Sequence, residues 1–103
     1  MSSAMTAEHL RQMIAVLEAE RQALATLDLD ALLATAQRKQ GLCAELEPAS
    51  PAAPDAECRA LAENARALNE VNRRVRNLLA AQVSARIDAL VDRPGTYRVA
   101  RVA

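Results

Sequence analysis

Leu61, Leu68 and Val75 stand seven residues apart, and Ala65, Val71, Leu78, Leu79, Val83, Ile87 and Leu90 complete the stripe. No glycine or proline interrupts the chain between Asp55 and Asp92. Apolar positions recurring at three, four and seven residues put one face of an α-helix in register with itself over many turns. This spacing predicts a helix over about residues 55–92, roughly 57 Å long at 1.5 Å per residue. Arg93, Pro94 and Gly95 end it, and the last eleven residues are expected to fray.

The same periodicity appears earlier. Leu10, Leu17 and Leu24 are seven apart, with Met13, Ile14 and Leu27 interleaved, and Glu8, Arg11, Gln12, Glu18 and Gln22 carry the polar face. A helix is expected over about 6–27. The apolar series then shifts phase, to Leu29, Leu32, Leu33, Ala36, Cys43 and Leu46. A step of five from Leu24 to Leu29 fits neither 3.5 nor 3.6 residues per turn. Asp28 at the step suits an N-cap, and Asp30 the first turn of a new helix. The choice lies between a kink or one-residue break near Asp28, with a second helix over 29–47, and one continuous helix. Residues 48–54 read Pro-Ala-Ser-Pro-Ala-Ala-Pro and make the one clear loop.

The expected fold is therefore all-α: an elongated antiparallel hairpin, or a three-helix arrangement, with one long C-terminal helix. In the hairpin, the first two helices run the same way and the third returns. Tyr97 is the only aromatic residue, and much of the 51% hydrophobic content is alanine. The core must then come from Leu, Ile, Val and Met, which favours closely approaching helices over a thick globule. A single domain fits 103 residues. A thin helical body of this size leaves apolar surface for a partner.

Net charge is zero, but residues 1–54 hold four Lys/Arg against seven Asp/Glu, and residues 55–103 nine Arg against six Asp/Glu. Acidic and basic halves suit segments folded on each other rather than a nucleic-acid binder. The Arg73, Arg74 and Arg76 cluster is read as a solvated face pairing with the acidic half. Nothing resembles a signal peptide, and the longest uncharged run, Asn77–Ala85, is far short of the ~20 residues of a membrane span. A cytoplasmic protein with reduced Cys43 and Cys58 is expected. In a simple hairpin these two cysteines sit level on facing helices. His9, the only histidine, is read as solvated. No zinc spacing, phosphate loop or nucleophile elbow is present; no cofactor and no catalysis are expected.

Leu24, Leu27, Asp28, Leu29, Ala31 and Leu32, followed by Lys39 and Leu42, resemble the first half of the FlgN family of flagellar type III export chaperones. Leu68, Asn69, Glu70, Val71 and Asn72, followed by Leu78 and Leu79, resemble the asparagine-containing centre of that family's long last helix. The resemblance spans roughly residues 10–90. It implies a cytoplasmic chaperone that binds the C-terminal helices of hook–filament junction proteins, keeps them unassembled and delivers them to the export gate. The client surface is then expected on Leu68, Asn69, Val71, Asn72, Val75, Leu78 and Leu79. The two asparagines have a second reading, as polar residues fixing register at a helix seam. Tyr97 and Arg98 on the basic tail are the expected docking element for the gate's cytoplasmic domain. Self-association is open. The alternative is a structural coiled-coil or adaptor subunit of a larger assembly.

Overall fold

A computed structural model describes residues 3–47 and 55–92 of the chain. They form three helices, α1 (Ser3–Thr26), α2 (Leu29–Leu46) and α3 (Ala56–Val91), with no strand among the described residues. The 48–54 proline segment and the 93–103 tail, with Tyr97 and Arg98, lie outside them.

The phase step near Asp28 is a full reversal, not a kink. Leu27 takes a left-handed φ of 54°. The Asp28 amide donates to Ala23 O at 2.9 Å and the Leu27 amide to Leu24 O at 3.3 Å. These two bonds are the Schellman pattern that closes a helix C-terminus, here with leucine where glycine is usual. Asp28 (φ −87°, ψ 98°) then caps α2, its carboxylate accepting from the Ala31 amide at 3.1 Å. One aspartate thus ends one helix and starts the next. Asp55 caps α3 in the same way, accepting from the Cys58 amide at 2.7 Å.

The chain divides into two compact units, Met1–Arg73 and Arg74–Ala103, and the boundary falls inside α3. In the first unit α2 runs back along α1: His9 meets Glu45 at 3.1 Å and Glu20 meets Lys39 at 3.3 Å. The start of α3 lies parallel to α1, with Arg11 bonded to Glu57 at 2.7 Å and Asn72 to Leu17 O at 2.9 Å. It is antiparallel to α2, where Lys39 meets Asn69. This is an up-down-up three-helix bundle, so α1 and α2 do not run the same way as the simple hairpin has it.

Met13, Leu17, Leu42 and Ala65 form one core cluster, with Ile14, Val16, Leu46 and Leu68 packed against it. Ala7, Leu10 and Cys58 form another. Leu17 and Leu42 are essentially inaccessible; each contributes about 1.5–3 kcal/mol by leaving water. The α1 stripe is buried as its spacing predicts, except at Ile14, which is half-buried, and Leu27, which is exposed at the corner. The α2 stripe is covered only in part: Leu46 packs on both clusters and Leu32 is half-buried, but its other positions are not covered. Thr35 and Leu42 are buried, while Leu29, Leu33 and Cys43 face solvent. α2 must cover α1 and α3 at once, and the positions that do so are those around Thr35, Lys39 and Leu42.

Arrival of Lys39 opposite Asn69 also fixes the register of α2 on α3. Cys43 then lies opposite about residue 65, two turns or roughly 10 Å along the axis from Cys58, so the cysteines are not level. Both are free thiols. The second unit contains the end of α3, from Arg74 to Val91.

Candidate functional site

Two polar side chains, Lys39 and Asn72, bond to Glu20, which is 3% exposed although it occupies a stripe position of α1 between Leu17 and Leu24. Lys39 Nζ reaches its carboxylate at 3.3 and 3.4 Å and donates to Asn69 Oδ1 at 2.8 Å. Asn72 Nδ2 donates to Glu20 Oε1 and to Leu17 O, both at 2.9 Å. Each of the three helices supplies at least one member. Asn72 is completely buried and its Oδ1 has no partner, which costs about 1–3 kcal/mol. A polar layer of this kind stabilises less than a hydrophobic one, but a slip of one residue would strand its buried groups, so it selects one register. The sequence singled out Lys39, Asn69 and Asn72. It missed Glu20, whose signal was an acid at a position where Met13, Leu17 and Leu24 require an apolar residue.

The seven expected client residues do not share a surface. Asn72 is interior and acts at the helix seam, which decides between its two readings. Leu68 packs against the bundle core. Asn69 is exposed but holds Lys39. Val71 is 37% exposed. In the second unit Val75 and Leu79 are half-buried and Leu78 is exposed. Of the set, Asn72 is sealed in the bundle and Leu68 half-buried against its core, and the more accessible apolar positions lie further along α3.

Those positions are Val83, Ile87 and Leu90, each at least half exposed. With Leu79 they step by four, four and three residues and keep the phase of the Leu61–Leu68–Val75 stripe. Arg86 falls on this face; Asp88 and Asp92 fall on the opposite one. A helix face of three to four large aliphatic residues is the form that packs against a partner helix.

Elsewhere on the first unit, Leu27, Leu29 and Leu33 are exposed around the α1–α2 corner. A shallow groove of about 450 Å³ between α1 and α2 is lined by Ala15, Val16, Ala19, Ala34 and Thr35, with Gln12 and Arg38 beside it. Arg73, read as pairing with the acidic half, bonds instead to Glu70 of its own helix at 2.7 and 2.9 Å. Hydrogen bonding and then the charge of Glu70 raise its guanidinium above the ordinary arginine value. His9 is not simply solvated: its ring is half-buried against Glu45, and Nδ1 is buried without a partner. Desolvation first, then the neighbouring Asp55, pushes the Cys58 thiol up.

Among the described residues no group of three His, Cys, Asp or Glu side chains is placed to hold a metal ion, and no helix is long and apolar enough to cross a membrane. What the arrangement offers chemically is apolar surface on rigid helices. No family model, curated protein or solved structure matches the chain.

Proposed function

We propose that this chain is an export chaperone of the FlgN type, acting in the cytoplasm on flagellar hook–filament junction proteins. The observation that carries the reading is the change along α3. Its apolar stripe is buried at Ala65 and absent from solvent at Asn72, yet Val83, Ile87 and Leu90 on the same face are exposed. A helix that keeps its hydrophobic phase past the point where it is covered presents a ready surface for an amphipathic helix of another protein. The C-terminal helices of axial subunits are of that kind and would polymerise early if left bare. Covering them needs binding energy alone, so neither cofactor nor catalysis enters. The basic 93–103 tail, with Tyr97 and Arg98, is the proposed element for docking at the cytoplasmic domain of the export gate.

The test is calorimetric titration of the whole chain with a peptide spanning the C-terminal helix of a junction protein. Micromolar or tighter binding is expected, lost in the Val83→Ala, Ile87→Ala double variant at unchanged helicity. No binding to any junction-protein peptide would leave the adaptor or coiled-coil reading in its place.

A further inference from the structure

We propose that two copies of this chain associate, the α1–α2 corner of one seating against the C-terminal half of α3 of the other. The two patches carry the largest exposed aliphatic side chains among the described residues. One is Leu27, Leu29 and Leu33, between 64% and 74% exposed. The other is Val83, Ile87 and Leu90, between 50% and 57% exposed. A monomeric domain rarely leaves two such patches bare.

Their charges select the pairing. The corner segment, residues 22–37, carries Asp28 and Asp30 and no basic residue. The segment 74–91 carries Arg74, Arg76 and Arg86 against the single Asp88. The pattern extends to the units. Met1–Arg73 holds seven Lys/Arg and eleven Asp/Glu, net −4; Arg74–Ala103 holds six Arg and two Asp, net +4. Packing two α3 ends together sets +4 against +4, and packing two corners sets acid against acid. Only the cross pairing of corner with α3 end matches both the apolar surface and the charge. Arg86, on the same face as Val83 and Ile87, is placed to meet Asp30 of the other copy. The contact joins two different patches, corner to α3 end, rather than like to like.

Sedimentation velocity on the whole chain, from about 5 to about 200 µM, a range that brackets weak and moderate affinity, reads the association directly. A species of twice the chain mass is expected, weakening as salt is raised. Val83→Ala with Ile87→Ala keeps or improves helix propensity, so circular dichroism should be unchanged. Lost burial of two aliphatic side chains should weaken association at least about tenfold. Asp30→Lys and Arg86→Asp should each weaken it, and the two single variants mixed together should recover it. A chain monomeric throughout the range overturns the proposal, as does a dimer indifferent to all of these changes. The proposal stands apart from the chaperone reading: a chain that dimerises as described and ignores every junction-protein peptide supports the one and removes the other.

Discussion

The two halves of α3 are alike in sequence pattern and opposite in environment. Up to Arg73 the helix packs its stripe on α1 and α2: Cys58 and Ala65 are buried, Leu61 and Leu68 are half-buried, and Asn72 is sealed. From Arg74 onward an equally regular stripe leaves Val83, Ile87 and Leu90 open. Amphipathicity states that a face needs cover. It does not say whether the cover comes from the same chain, and an 18-residue helix with half of its aliphatic surface in water is marginal by itself.

The contrast breaks most decisively at the core. Leu42→Ala should destabilise the bundle by about 2–5 kcal/mol, because transfer and cavity terms add at a closed site. Ile87→Ala, at an open one, should change the stability of the isolated chain by less than about 1 kcal/mol. Urea titration at a concentration where the chain is monomeric measures both. Equal losses would mean that the end of α3 is packed after all.

Next in size is the polar layer that closes the covered half. Glu20→Ala takes one of two acceptors from Asn72 Nδ2, leaving Leu17 O, and leaves Lys39 only Asn69. Lys39 keeps some contact with water, its side chain being 19% exposed. The expected loss is therefore about 1–3 kcal/mol rather than the larger figure for a fully buried charge. A double-mutant cycle of Glu20→Ala and Asn72→Ala should show coupling; strict additivity would remove the network.

Leu27→Gly works in the opposite direction. The left-handed φ of 54° strains a leucine, and the side chain is 66% exposed, so glycine should stabilise the corner by about 1 kcal/mol. The same variant removes a leucine from the proposed dimer contact, so stability should rise while association falls.

The smallest effect sharpens the comparison without altering stability. Cys43 is exposed; Cys58 is buried in the covered half of α3, with its thiol raised. An alkylating reagent at neutral pH should modify Cys43 first and reach Cys58 only as the pH rises or the bundle opens. Equal rates would mean that the start of α3 detaches readily.

Much of the fold was legible because helical signals are local. Leu10, Leu17 and Leu24 announced the buried face of α1. Asp28 announced a cap, since a short acidic side chain satisfies amide groups two or three residues onward whatever the rest of the chain does. The candidate site was less legible. Leu68 and Asn72 read as a groove, yet Leu68 is half-buried against the core and Asn72 is interior; Leu29 and Leu33 read as core and are exposed. In both cases the stripe was seen correctly and its cover was assigned wrongly.

The sequence by itself determined that the chain is helical, with a long last helix bounded near residues 55 and 92 and an interruption possible at Asp28, because caps, prolines and apolar period act within a few residues. Only the tertiary structure decided that the chain reverses at Leu27–Asp28 instead of bending. A two-residue connection with one left-handed residue fits either a kink or a hairpin until α2 finds Leu17 and Glu20 to pack on. It also decided which half of α3 is covered. The covering helices are only 24 and 18 residues long, and the 36-residue α3 has more apolar face than they bury.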